Sequence, residues 1–377
     1  MFNRLYVHIP FCIKKCGYCA FVSGVPVENE LEEYHELLIS ELDNHQLISE
    51  PLDSIYFGGG TPSLLKARQL SVLLNKIRYR MPFSENIEIT LEANPCTING
   101  VYLSAVRDAG INRISLGIQS FDDLFLTALG RIHTSEQSKR AFRDIRAAGF
   151  NNVSIDLMHS LPGETLEQWR SELLYATDLY PEHISVYGLT IEGNTPFALK
   201  YPNGSSQLID EDLSADMFEL ADEILTGAGF EHYEIANYAR PGYRSDHNSG
   251  YWKRDGYLGL GVAAHSFLRD GYGLRFSNPY TLEEYRSMTR SGKPTRLDEY
   301  SLTRQDAMSE YLYLGLRLSD GVKGSGFESE FGSSIDSIYE TTVPDLGKLG
   351  LLSRDADTVR LTLKGMLLSN QVFSRFL

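Results

Sequence analysis

Six short segments rich in branched apolar residues recur through the first 200 positions, and helical patterns separate them. "RLYVHI" (4–9), "SIYFGGG" (54–60), "NIEITLEAN" (86–94), "RISLGIQS" (113–120), "NVSIDLMHSL" (152–161) and "HISVYGLTI" (183–191) are bounded by turn residues and read as buried strands. Between them, Leu31, Tyr34, Leu38 and Leu42 mark one apolar helix face, and Leu70, Leu73, Leu74 and Ile77 another. Tyr102, Leu103, Val106 and Ala109 mark a third, and Leu166, Trp169, Leu173 and Thr177 a less regular fourth. Such alternation implies right-handed crossovers and a parallel sheet, hence an α/β fold.

A flat doubly wound sheet satisfies that pattern, but the polar residues favour a barrel or partial barrel. Tyr6, His8, Gly58 to Thr61, Glu92, Asn94, Gln119, Asp156 and Thr190 fall at or just beyond a strand's C-terminal end. That rim is where βα barrels build their sites. Glu92 and Asp156 are costly there as packing residues, because an unpaired buried carboxylate is strongly destabilising. Capping of the following helix is the competing role for any one of these residues.

The rhythm breaks at "KYPNGSSQLID" (200–210), and a helix with Leu213, Met217, Leu220, Ala221 and Ile224 on one face follows. An irregular aromatic stretch (229–267) comes next, and from about 301 a helix pair leads to a hairpin and a last helix, resembling a winged-helix end. Two domains are expected, 1–205 and a smaller α+β unit over 206–377.

The formal charge of −15 argues against a nucleic-acid or anionic-membrane surface, which needs clustered Lys and Arg. No apolar run approaches the roughly 18–20 residues of a membrane helix, so no transmembrane segment is expected. The N-terminus runs into a strand without a signal-peptide pattern. Four cysteines in 377 residues are no disulfide framework, which points to a reducing compartment. The cytoplasm is expected, or an organelle interior after loss of a transit peptide.

Three of those cysteines, Cys12, Cys16 and Cys19, crowd the loop after the first strand as C-x3-C-x2-C. Three chemistries compete for such a loop. Structural zinc requires a fourth ligand, for which His8 or Cys96 are candidates. A redox pair needs C-x2-C and leaves Cys12 unexplained. A 4Fe–4S cluster on three thiolates leaves one iron open to a small ligand, and this alone explains a set that stops at three, with Phe21 two residues on.

The spacing, with Tyr18 before the last cysteine, is similar to that of the radical S-adenosylmethionine (SAM) superfamily. "YVHIPFC", "FGGGTPSLL", "LEANP", "ISLGIQSF", "LGRIH", "IDLMHSLPGET" and "HNSGYW…YLGLGVAAHS" occur in order along nearly the whole chain. Together they resemble the oxygen-independent coproporphyrinogen III oxidase family, and most closely its HemW branch of haem chaperones. The resemblance implies a radical SAM partial (β/α)6 barrel over 1–205 and a HemW-type domain over 206–377. It implies a 4Fe–4S cluster on Cys12, Cys16 and Cys19, with SAM on the open iron. It maps SAM contacts to Tyr6, Tyr18, Gly59, Gly60, Thr61, Glu92, Gln119, Arg131, Asp156 and Thr190. Glu92 and Asp156 would suit the ammonium and ribose hydroxyls, Arg131 the carboxylate, and the "GGGTP" backbone the methionine end.

Two departures separate this sequence from the oxidases of the family. These carry a further cysteine where this chain has Phe21, and a substantial segment ahead of the first strand. The expected activity is therefore haem carriage, with delivery to an acceptor such as a respiratory enzyme. The rivals are radical SAM decarboxylation of coproporphyrinogen III and a redox-sensing interaction protein. "HNSGYW" (247–252) sets His247 beside Tyr251 and Trp252, which suits axial ligation of haem; a hydrogen-bonded role in an aromatic junction competes. His133, His159 and His265 are weaker candidates, and Cys96 reads as a small buried residue. The resemblance also implies a cluster-dependent homodimer.

Overall fold

The structure is a computed structural model that describes residues 2–44, 50–202, 205 and 207–377. Its main sheet begins with β1 (Arg4–Ile9), β2 (Leu52–Gly59), β3 (Phe83–Ala93), β4 (Arg113–Gln119), β5 (Val153–His159) and β6 (His183–Gly188). All six expected strands are present, and each pairs with the next in parallel. The helices Glu30–Asn44, Ala67–Arg80, Gly100–Ala109, Ser135–Ala147 and Leu166–Asp178 connect them.

Each strand alternates, and the register lines the alternation up across the sheet. Leu5, Val7 and Ile9 are flanked by Ile55 and Phe57, and these by Ile89 and Leu91. Ile114, Leu116, Ile155, Leu157, Ile184 and Val186 continue the row. All are buried in the core that includes Leu38, Leu74, Val106, Ile145 and Leu173 from the helices. Each large apolar side chain so buried contributes about 1.5–3 kcal/mol. The other face holds Tyr6 and His8, then Ser54 and Tyr56, then Glu88, Thr90 and Glu92. Arg113, Ser115, Asp156, His183, Ser185 and Tyr187 complete it. Parallel strands covered by helices on both faces are apolar on both faces. Here the second face is polar because it lines the inside of an open barrel.

The sheet continues past β6. In β7 (Glu231–Glu234) and β8 (Asn237–Ala239), β8 pairs antiparallel with β6. On the opposite edge β9 (Tyr257–Leu260) pairs parallel with β1. Antiparallel β10 (His265–Leu268), β11 (Leu274–Ser277) and β12 (Leu297–Ser301) follow in a twelve-stranded order that does not close. The expected helix after 210 is Glu211–Gly227, capped by the Asp210 side chain on the Leu213 amide.

A second core gathers Met308, Leu312, Phe327, Phe331, Leu346, Val359 and Phe376. It surrounds β13 (Val322–Lys323), β14 (Leu352–Asp355) and β15 (Thr358–Leu361), with the short helices Leu363–Leu367 and Ser369–Phe373 after the hairpin. The expected division at 205/206 falls where residues 203, 204 and 206 lie outside the described residues. Residues 211–301 lengthen the main sheet at both ends, and the second core is built from residues beyond them, with Phe218 and Ile235 packed against it. The broken βα rhythm marked a change of pattern. It did not reveal that short strands from later in the chain would cover both edges of the first sheet.

Candidate functional site

The cysteine loop leaves β1 and is pinched at its base. The Cys12 amide donates to the Gly24 carbonyl at 2.9 Å, and the Gly24 amide to that of Pro10 at 2.8 Å. His8 reaches across from β1, with Nε2 2.9 Å from the Val22 carbonyl and Nδ1 3.0 Å from Tyr6 Oη. Burial pushes the His8 pKa down, so the neutral ring donates through Nε2 and accepts the tyrosine proton at Nδ1. His8 is a strap on the loop, with no nitrogen left for a metal. Gly17 seats the loop against Phe197, whose ring lies 2.8 Å from where a Cβ would stand.

Cys12, Cys16 and Cys19 are free, half-buried, and line one cavity of about 360 Å³. Burial raises the Cys19 pKa, and its two neighbouring thiols raise it further. Three thiols lining one cavity ionise together only where a cationic centre holds them. Among the described residues no three His, Cys, Asp or Glu side chains are gathered closely enough for a single metal ion.

Opposite the loop stands the polar face of the barrel. Glu92 accepts from Tyr56 Oη at 2.8 Å and from the Gly59 amide at 3.2 Å. Burial, reinforced by Asp156, pushes its carboxyl up to about 7. Asp156 is also raised by burial, while bonds from Ser185 and Ser115 and the charge of Arg113 oppose the shift. Two carboxyls held above their ordinary range in one cavity are a seat for a positive group. Arg131 sits between wall and loop, with Nη2 2.7 Å from the Gly117 carbonyl and Nη1 3.7 Å from Cys16 Sγ. Its buried Nε–H has no partner among the described residues, a donor that fits a ligand carboxylate.

The glycines after β2 are dictated by what lies beneath them. Gly59 has φ +115°, and a Cβ there would stand 2.6 Å from the His8 ring. A Cβ on Gly60 would stand 2.6 Å from the Phe11 carbonyl oxygen. Their amides are engaged within the fold: Gly59 donates to Glu92, and Gly60 to the Ile9 carbonyl at 2.8 Å. What the turn offers the cavity is bare backbone surface.

The structure brings Tyr18, Gly59, Gly60, Thr61, Glu92, Gln119, Arg131 and Asp156 together with the three cysteines around the cavity. Tyr6 faces a neighbouring cavity instead. Thr190 is exposed and does not line the cavity, because β6 ends at Gly188; Tyr187 holds that part of the wall.

His247 is placed otherwise than a free axial ligand. It is 1% exposed, with Nδ1 2.8 Å from Ser54 Oγ and Nε2 2.8 Å from Tyr251 Oη. Its helix, Asp246–Trp252, butts against the floor of the barrel, where Glu88 accepts from the amides of Asp246 and His247. Both ring nitrogens are used, so the expectation of an imidazole open to iron is corrected to a hydrogen-bonded junction. His133 and His159 are buried, bonded to the Ile118 carbonyl and Ser160 respectively. Cys96 is half-buried beside Gln137 and lies outside the cavity wall.

Sequence reasoning missed Tyr56, Arg113, Ser115, Ser185 and Tyr187. Their signal was the polar half of each strand's alternation, legible in "SIY", "RIS" and "HISVY" once one asks why a parallel strand should alternate.

Residues 6–175 match the model of the radical SAM superfamily, and residues 302–368 that of the HemN C-terminal domain. The chain is similar to the heme chaperone HemW of Lactococcus lactis subsp. lactis (strain IL1403), 36% identical over 375 residues, covering 100% of this chain and 97% of that protein. It is 35% identical to the heme chaperone HemW of Bacillus subtilis (strain 168), covering 99% and 98% respectively. The mouse (Mus musculus) protein named radical S-adenosyl methionine domain-containing protein 1, mitochondrial, is 36% identical over 84% of this chain and 74% of its own length. Coproporphyrinogen III oxidase (HemN) from Escherichia coli superposes with a TM-score of 0.86 at 24% identity, covering 100% of this chain and 90% of that one, a likeness of fold.

Proposed function

The chain belongs to the radical SAM superfamily and, within it, to the HemW family, and we propose that it is a haem carrier built around a SAM-liganded 4Fe–4S cluster. It binds haem and delivers it to an acceptor protein, a respiratory enzyme being the acceptor expected. The observation that carries the cofactor reading is the shared cavity: three half-buried thiols on one side, two raised carboxyls and an unpaired guanidinium N–H on the other.

Cys12, Cys16 and Cys19 would hold three of the four irons, leaving the fourth to the amino and carboxylate groups of SAM. Arg131 orients the carboxylate, and Glu92 and Asp156 offset the cationic end, their pKa values falling as they do so. Tyr18 and the bare Gly59–Gly60 backbone shape the pocket, and His8 ties the cysteine loop to β1 through the Val22 carbonyl. When bound, the cluster and SAM supply one-electron chemistry.

Haem carriage is supported by the HemW relatives matched end to end. Phe21, 69% exposed, also places a flat apolar ring where an oxidase-type site would hold a thiol. A reducing compartment, the cytoplasm, is consistent with four free cysteines; the net charge of −15 weighs against nucleic acid as a partner, and a homodimer is the expected assembly. The test compares two activities of anaerobically reconstituted protein. Haem retained through gel filtration, with no protoporphyrinogen made from coproporphyrinogen, SAM and reductant, is the expected result. Efficient turnover without haem retention would replace the carrier by the oxidase.

A further inference from the structure

Gly17, in the middle of the cysteine loop, is gripped by two segments from elsewhere in the chain. Its amide donates to the Leu129 carbonyl at 3.4 Å, and its carbonyl accepts from the Phe197 amide at 3.0 Å. Leu129 closes the helix Asp123–Leu129, and Phe197 lies on the short helix Pro196–Lys200 beyond β6. The Phe197 ring fills the space a side chain at 17 would need and meets the Tyr18 ring edge to face, centroids 6.1 Å apart. Cys16 and Cys19 stand on either side of this grip.

These contacts belong to a core of their own. Phe125, Leu129, Met158, Leu161, Phe197 and Tyr201 are buried together, with Tyr18 packed against them, and none is part of the main core. Tyr18 and Met158 also line the cofactor cavity. One side of the small core is therefore the cavity wall, and another is the segment that follows the barrel. That segment has little else to hold it. A helix of five residues is too short to persist on local bonds, and Leu199 on its outer face is 89% exposed. Phe197 and Tyr201 are its buried anchors, and Phe197 is the one that reaches the loop.

We propose that Phe197 is a positioning residue for the cluster loop, and that cluster loading and the seating of residues 195–201 are one coupled equilibrium. The proposal rests on the cluster reading above and extends it to a segment outside the barrel. Coupling of this kind is reciprocal: whatever the seated ring adds to cluster affinity, the bound cluster adds to the seating of the ring. Tyr18 is the shared piece, with the cavity on one side and Phe197 on the other. The competing role, plain packing, would make Phe197 matter to the fold and not to the cluster.

The experiment measures amide hydrogen exchange in the full chain, cluster-free and anaerobically reconstituted, and the rate at which a chelator strips its iron. Each variant is checked by circular dichroism. Loading should slow exchange over 197–201 by roughly 5–150-fold, the usual span of a coupling free energy, and leave the β14–β15 hairpin unchanged. Phe197→Ala should lose iron faster and show no such protection, Phe197→Leu should recover part of both, and Leu199→Ala should match the unsubstituted chain. Gly17→Ala keeps the ring but wedges a methyl 2.8 Å from it, so it should lose iron faster too. Combined with Phe197→Ala its effect should shrink, because the wedge then has nothing to strike. Unaltered exchange on loading, iron retention by Phe197→Ala equal to that of the unsubstituted chain, or strict additivity in the double variant would overturn the proposal. An unsubstituted chain that takes up no cluster would instead remove the reading beneath it.

Discussion

Ser54 Oγ lies 2.8 Å from His247 Nδ1 although 193 residues separate them, and Arg4 Nη1 donates to the same hydroxyl at 3.2 Å. The bond joins the second barrel strand to the helix that carries "HNSGYW". Ring contact of Tyr56 with His247, centroids 5.1 Å apart, extends the junction to the Tyr56–Glu92 bond in the cofactor cavity. The motif is thus a plug in the barrel floor, and Gly250 is part of it: a Cβ there would fall on the Arg4 guanidinium.

His247→Ala removes the imidazole bonded to the Tyr251 and Ser54 hydroxyls, and among the described residues only Ser54 keeps a second partner, Arg4. Stability should fall by about 1–3 kcal/mol, read as a lower urea midpoint. His247→Gln, which keeps polar atoms in the site, should recover part of that loss. Equal stability of all three proteins would refute the junction.

Substituting serine for Cys12, Cys16 or Cys19 should each abolish the cluster absorbance of reconstituted protein and reduce bound iron. Cys96→Ser, outside the cavity wall, should leave both unchanged. Iron and sulfide content decide the matter, and an unaltered iron content in Cys16→Ser would remove that residue from the ligand set.

Glu92 gives the cofactor cavity a pH signature. Its folded pKa of about 7 lies above the ordinary carboxyl value of 4.5. Between those values the native chain keeps a proton that the unfolded chain has released. The stability associated with this group is therefore present below pH 4.5 and is lost as pH rises through about 7. A cationic ligand reverses the preference, because it stabilises the carboxylate. SAM affinity of the cluster-loaded protein should tighten as pH rises through about 7, and Glu92→Gln should flatten the dependence. Glu164, pushed by burial to about 8, and Glu172, to about 7, titrate nearby in pH. The difference between Glu92→Gln and the unsubstituted chain isolates the cavity. Identical pH profiles would contradict the assignment.

Gly60→Ala forces a methyl to 2.6 Å from the Phe11 carbonyl oxygen at the root of the cysteine loop. Overpacking of this kind costs about 1–3 kcal/mol, and the loop should hold less cluster. Gly100→Ala meets nothing within 4 Å in a helix and should be neutral or stabilising by about 0.4–1 kcal/mol. Thermal melts together with iron content test both; Gly60→Ala melting like the unsubstituted chain with full iron loading would show that the turn is not under this constraint.

Residues whose neighbours are near in sequence were legible before any coordinates. The six strands, the helix faces and the cysteine spacing are local patterns, and each strand appeared within a few residues of its expected place. So did the carboxylates at the strand ends, since charge inside an apolar segment is a local anomaly. Thr190 lies two residues past β6, which stops at Gly188, and outside the cavity wall, a placement that depends on where the pairing strand ends.

What the sequence determined by itself is a parallel α/β chain with a thiol-rich loop at the first strand's end, because periodicity and spacing are encoded within a few turns of backbone. The tertiary structure decided which face of each strand became the inside of the barrel. It also decided where the later strands attach, and that His247 is buried and bonded to Ser54 and Tyr251 while His265 stays exposed beside Tyr280. Those outcomes depend on register and on partners up to hundreds of residues apart, and hydrogen-bond saturation is a property of the assembled fold, not of any segment.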